Sequence, residues 1–222
     1  MTYKVDGLCL PVEFLVLGPI QNNVYIIGPD AAGATVVVDP SCEPERILEA
    51  LGDRTPAAII ITHRHYDHIG AAAALRDATG APVIASAIDA PWITGEEPNR
   101  SPFGPLEPCT VDRLVDHGDT VEIGTMTWRV IATPGHTLGS ICLFLDAQYG
   151  TNPTGLPILV SGDTLFCASI GRTDFPESDP TAMKGSLARL AKLPDDVAVL
   201  PGHNSLTTIG AERQRVFARF AE

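Results

Sequence analysis

Two sheets packed face to face and clad by helices, an α+β arrangement, are the fold class that this 222-residue sequence predicts. Strand-like runs come in series, first at 12–17, 24–27 and 35–38, then at 120–123, 126–132, 141–146 and 157–160. Helical stretches lie between and after these series. Length and a hydrophobic fraction of 45% suffice to bury a full core, so residues 1–222 are expected to form one domain.

Taken in order, the strands at 12–17, 24–27 and 35–38 precede a helix over 44–51 that Gly52 stops. The apolar run 57–61 reads as a strand. A helix over 69–78 follows, with Gly70 and the alanines 71–74 at its start, and then a strand at 82–85. The Pro/Gly-rich connection 91–109 is long enough to be a functional flap or an insertion. Trp92 and Phe103 within it either cover a substrate or anchor the loop to the body. After the second series of strands come a helix over 181–192, a strand at 197–200 and a helix over 211–220. No internal repeat or low-complexity tract is present.

Chemistry concentrates at 62–68, which reads Thr-His-Arg-His-Tyr-Asp-His and holds three of the six histidines. Neutral imidazoles and ionised carboxylates are the ligands preferred by zinc and similar divalent ions, so this loop points to a metal site. On an extended segment His63 and His65 share a face, while the adjacent Asp67 and His68 diverge. Two metals are therefore served more readily than one. Further candidates follow strand ends: His136 in Thr-Pro-Gly-His, His203 in Leu-Pro-Gly-His, and Asp163 in Ser-Gly-Asp. Asp39 closes the run Val-Val-Val-Asp before Pro40, where it either starts a turn or supports the ligand loop. His117 sits among turn formers and is expected to be exposed.

These motifs carry a resemblance. THRHYDH at 62–68, TPGHTLGS at 133–140, SGDTLF at 161–166, IGRTDFP at 170–176 and LPGH at 200–203 resemble the metallo-β-lactamase superfamily and, within it, the short glyoxalase II-like hydrolases. The resemblance implies a four-layer αββα sandwich. It implies that His63, His65 and His136 bind one metal, Asp67, His68 and His203 the second, with Asp163 bridging and Asp39 supporting the ligand loop. The expected cofactor is a pair of divalent ions, zinc first, with iron or manganese as alternatives that His/Asp ligands do not distinguish. The antibiotic-degrading members carry a cysteine where this chain has Asp163, which argues against β-lactamase activity.

A bound divalent ion lowers the pKa of water from about 16 to about 7, which supplies a nucleophile at neutral pH and polarises a carbonyl. Asp67 is expected to orient that hydroxide. No G-x-S-x-G elbow offers a serine alternative. The resemblance implies a small-molecule thioester as substrate, of glutathione or another low-molecular-weight thiol. Arg172 matches the cationic position that contacts the thiol carrier, although Asp174 stands near enough to pair with it. Full-length glutathione thioesterases carry a helical C-terminal extension, whereas nineteen residues follow His203 here. The runner-up is a persulfide dioxygenase with one iron, which shares the GRTDF stretch. A metal-stabilised binding module without turnover is the third reading.

A net charge of −12 with no basic run is expected to exclude nucleic-acid binding. No membrane span or secretion signal is legible. Five cysteines without paired spacing suggest reduced thiols and a cytoplasmic protein, with Cys167, four residues after Asp163, as a small filler.

Overall fold

A computed structural model describes residues 1–99 and 101–221. In the first half, strands β1 (Thr2–Val5), β2 (Val12–Leu17), β3 (Asn22–Ile27) and β4 (Val36–Val38) precede helix α1 (Pro44–Leu51) and β5 (Ala58–Ile60). Two short helices, α2 (Tyr66–Ile69) and α3 (Ala72–Thr79), lead to β6 (Val83–Ser86), α4 (Ala90–Ile93) and β7 (Arg113–Val115). These seven strands form one sheet in sequence order, antiparallel through β4 and parallel from β4 to β7.

The second half supplies β8 (Thr120–Ile123), β9 (Met126–Ala132), β10 (Ile141–Leu145), β11 (Ile158–Gly162), the hairpin β12 (Leu165–Phe166) and β13 (Ser169–Ile170), and helix α5 (Pro180–Leu190). Strands β14 (Ala198–Pro201) and β15 (Thr207–Thr208) follow, with a closing helical stretch made of α6 (Ile209–Glu212), a π-helical turn Arg213–Phe217 and α7 (Ala218–Phe220). The second sheet runs β15-β14-β11-β10-β9-β8, with β11 and β14 parallel.

Alternation along the strands builds four layers. Val36, Val38, Ala58 and Ile60 point inward and meet Met126, Trp128, Val130, Leu143 and Val160 of the other sheet. Their neighbours Val37, Ile59 and Ile61 point outward onto Ile47 and Leu51 of α1 and Leu75 of α3. Across the molecule Cys142, Phe144, Leu159 and Val199 face Met183, Leu187 and Leu190 of α5 and Val216 and Phe217 of the closing stretch. Both faces of each central strand are covered, so these strands are near-continuously apolar. Each fully buried aliphatic side chain contributes about 1.5–3 kcal/mol.

The expected αββα sandwich is therefore present, with local differences. The helix expected over 69–78 begins at Tyr66 and breaks after Gly70, where the Ser41 carbonyl comes so close that a Cβ has no room and Ala71 N–H is taken by Pro40 O at 2.9 Å. The helix expected over 211–220 starts at Ile209 and passes through the π turn. The connection 91–109 contains most of α4 and holds residue 100, outside the described residues. Strands β1, β7, β12, β13 and β15 were not expected. All are two to four residues long and owe their conformation to a pairing partner. Among the described residues no helix is long and apolar enough to cross a membrane.

Candidate metal centre

The ligand candidates converge at one rim of the sandwich, where β5, β9, β11 and β14 end. His63 and His65 follow β5, Asp67 and His68 lie on α2, His136 follows β9, Asp163 follows β11 and His203 follows β14. The two Pro-Gly turns aim their histidines through close packing. Gly135, at φ +150°, leaves a Cβ position only 2.6 Å from Met183 of α5, and a Cβ on Gly202 would collide with Asp163 and His68. Only glycine fits at either position.

Two ligand groups result. His63, His65 and His136 each offer a nitrogen within 4.8 Å of the others, and so do Asp67, His68 and His203 with their nitrogens and carboxylate oxygen. Asp163 spans both: Oδ1 lies 3.3 Å from His68 Nε2, and Oδ2 lies 3.4 Å from His136 Nε2 and 3.5 Å from His203 Nε2. Asp67 and His68 do not diverge as an extended segment requires. They sit on a helical turn, and Asp67 Oδ2 reaches within 3.4 Å of His68 Nε2 and 3.2 Å of His203 Nε2.

Each imidazole is held from behind at its other nitrogen. His136 Nδ1 donates to Arg172 O at 2.8 Å, and His203 Nδ1 to Ile20 O at 3.1 Å. His68 Nδ1 lies 2.9 Å from Asp39 Oδ2 and His65 Nε2 lies 3.3 Å from Glu177 Oε1. Thr62 Oγ1 donates to Asp39 Oδ2 at 2.7 Å and so accepts from His63 Nδ1 at 3.1 Å. Carbonyls and carboxylates only accept, so five ring nitrogens are left with lone pairs facing the centre when the rings are neutral. His65 Nδ1 and His136 Nε2 then face each other at 2.8 Å, and the buried His63 Nε2 and Asp163 Oδ1 have no hydrogen-bond partner among the described residues. Outward anchors with converging lone pairs are the arrangement a cation satisfies. The residues present fit two divalent ions.

Electrostatics agree with crowded donors. Burial, reinforced by His68, His65 and His136, holds His63 well below the ordinary imidazole range, and burial beside His136 lowers His65 to about 4. Burial opposes charge on His68 as well, but Asp163, Asp67 and Asp39 outweigh it and raise its pKa. His203 is likewise raised against burial, by Asp67 and Asp163. Burial would raise Asp67 and Asp163, yet His68 and its neighbours hold both below the usual carboxylate range.

Asp39 touches the ligand loop, accepting Thr62 N–H at 2.7 Å besides its contacts with Thr62 Oγ1 and His68. Arg172 borders the cavity, but its guanidinium, 66% exposed, pairs with Asp174 at 2.8 and 2.9 Å. Its carbonyl makes the buried contact, to His136. His117 is exposed as expected. Cys167 is half-buried and does not border the cavity. Glu177, Phe175 and Asn22 were not singled out from sequence. Glu177 and Phe175 touch His65, and Asn22 Nδ2 lies 3.1 Å from His68 Nε2. Only the position of Glu177 and Phe175 just after IGRT hinted at them. The centre opens into a cavity of about 660 Å³ with Ile20, Phe166, Ile170 and Phe175 among its walls.

The sequence profile described as Metallo-beta-lactamase superfamily matches residues 17–203. The chain belongs to that superfamily. An uncharacterized protein of Aquifex aeolicus is 33% identical over 91% of this chain and 93% of its own length. A hydroxyacylglutathione hydrolase of Pseudomonas putida is 37% identical over 82% of this chain, which spans 62% of that relative. Three solved structures share the superfamily fold: BLEG-1 B3 metallo-beta-lactamase (TM-score 0.81, 34% identity, 93% of this chain and 98% of that one), TTHA1623 in a di-iron-bound form (0.77, 34%, 91% and 97%) and ETHE1 from Myxococcus xanthus (0.74, 32%, 95% and 84%).

Proposed function

We propose that this protein is a metal-dependent hydrolase acting on a thioester of glutathione or another low-molecular-weight thiol. His63, His65 and His136 would hold one divalent ion and Asp67, His68 and His203 the second, with Asp163 shared. The position of the Asp163 carboxylate, within 3.5 Å of a histidine from each group, carries this reading. When bound, such ions lower the pKa of water to about 7 and polarise a carbonyl. Zinc is the ion we place there first. The 34% identity to a di-iron-bound structure supports iron as well.

The chain's own residues supply orientation. Asp67, kept ionised and 3.2 Å from His203 Nε2, would accept a hydrogen bond from an attacking water and fix its direction. Ile20, Phe166, Ile170 and Phe175 offer a bound substrate apolar surface beside the centre. No cysteine borders the main cavity among the described residues, so none is placed there to act as a thiol nucleophile. The thiol carrier is placed along Phe175 and Arg172. Free cysteines throughout and the 37% identity with a hydroxyacylglutathione hydrolase support a reducing compartment, the cytoplasm, and a thioester substrate.

The test is metal content of protein purified without added metal, followed by a thioester panel that includes S-lactoylglutathione. About two ions per chain and turnover are expected, with His136→Ala and His203→Ala each reduced to about one ion and inactive. A metal-replete protein inert on the whole panel overturns the reading. One alternative, the persulfide dioxygenase that shares the GRTDF stretch, requires one iron and oxygen uptake with glutathione persulfide, and the 32% identity with ETHE1 from Myxococcus xanthus puts that measurement beside the panel. The likeness to a B3 metallo-beta-lactamase puts β-lactams on the panel too, against the expectation drawn from Asp163.

A further inference from the structure

Beside Asp67 the main cavity continues into a side pocket of about 110 Å³, and Ile20, Tyr66 and Asp67 line both. Three stretches distant in sequence close it: Gly18 and Pro19, Ser41 and Cys42, and Phe103 with Leu106 from the long connection. Several of its polar groups are engaged elsewhere. Ser41 Oγ donates to Cys42 Sγ at 3.4 Å, Ser101 Oγ accepts Phe103 N–H at 3.1 Å, and the Asn22 amide nitrogen faces His68. What meets the space is mostly carbon and sulfur. Phe103, 66% exposed, stands 5.8 Å from the Tyr66 ring. Arg172 and Phe175 border the main cavity at the other ligand group, beside His136 and His65.

A thioester held with its carbonyl at the centre and its thiol carrier along Phe175 and Arg172 must direct its acyl group elsewhere, and this pocket adjoins Asp67. An engineered apolar cavity of about 150 Å³ holds benzene, so one of this size takes about three to five carbons. We propose that the side pocket is the acyl subsite and selects short alkanoyl groups over 2-hydroxyacyl groups. This inference rests on the thioesterase reading above. A hydroxyl carried into the pocket would exchange its hydrogen bonds to water for few partners, the unpartnered Asn22 Oδ1 among them.

The test uses the metal-loaded full chain and S-acylglutathiones from acetyl to octanoyl, with S-lactoylglutathione alongside. kcat/KM is expected to rise about 4-fold per methylene up to four or five carbons and then fall. Cys42→Phe, which fills the pocket, lowers the butanoyl-to-acetyl ratio at least 10-fold, and Leu106→Ala moves the optimum to longer chains. If Cys42→Phe does not fold, the Leu106→Ala shift decides. A flat chain-length profile, unchanged ratios, or a preference for lactoyl over propanoyl overturns the subsite while leaving the thioesterase intact. Failure of every thioester overturns the hydrolase reading and the subsite together.

Discussion

Asp39 Oδ2 lies 2.9 Å from His68 Nδ1, with both side chains buried, and the same carboxylate takes the backbone N–H and the hydroxyl of Thr62. One residue after β4 thus fixes a ligand in each group, His68 directly and His63 through Thr62. Asp39→Asn keeps a residue type that tolerates its φ of +48° but faces His68 Nδ1–H with either a neutral oxygen or an N–H. Metal affinity is expected to fall about 10–100-fold, read by competition with a chelator of known affinity. Unchanged affinity would remove Asp39 from the centre's support.

The connection 91–109 braces the ligand loop at Arg64, the residue between His63 and His65. Its guanidinium lies 3.7 Å from the Trp92 ring centre, its carbonyl accepts from Asn99 at 2.7 Å, and its N–H donates to the buried Asp89 at 3.0 Å. Trp92 thus anchors the loop at Arg64, and it shares a groove with His65, Phe175 and Glu177. Trp92→Ala should cost about 2 kcal/mol in urea unfolding and weaken metal binding. A raised KM with intact stability would make Trp92 a substrate contact instead.

Arg172 and Asp174 form an exposed pair, so the guanidinium is available at small cost. If Arg172 receives the thiol carrier, Asp174→Asn lowers KM and Arg172→Gln raises it several-fold, both at constant kcat. Steady-state kinetics with a carboxylate-bearing thiol and with a neutral one checks this, since only the former should respond.

Asp30, buried, accepts from Ala32 and Ala34 N–H and from the backbone and hydroxyl of Thr125, tying the 28–34 turn to the β8–β9 hairpin. Burial alone would raise its pKa, but the Thr125 and turn hydrogen bonds bring it below the usual carboxylate range. The stability it contributes is therefore present above the unfolded carboxylate pKa and is lost as pH falls through the depressed folded value. Asp30→Asn should cost about 2 kcal/mol at pH 7, with the gap to the parent protein closing below about pH 4. A gap that persists in acid would place the effect in packing.

Strand-end histidines were legible because ligand chemistry and turn chemistry coincide there: Pro-Gly precedes His136 and His203, and a strand pattern ends at Thr62. Asp39 could be named a candidate, yet its two roles stayed open until β4 and β5 were seen paired with Asp39 reaching Thr62. Glu177 had only its place after IGRT to hint at it, and Asn22 and the Ile20 carbonyl were not legible at all. A carboxylate or carbonyl that orients an imidazole from a distant loop has no spacing rule, and only the folded chain brings it within 3.3 Å of a ring nitrogen.

By itself the sequence determined the two-sheet core and the seven ligand candidates, because apolar alternation and donor chemistry are properties of short segments. Tertiary structure alone decided that Asp67 and His68 point to one place, that Arg172 pairs with Asp174, and that a side pocket opens beside Asp67. The first needs the helical turn that only the folded loop adopts, the second a side-chain choice between a neighbour and the cavity, and the third atoms from stretches far apart in the chain, whose distances are set by how the layers pack.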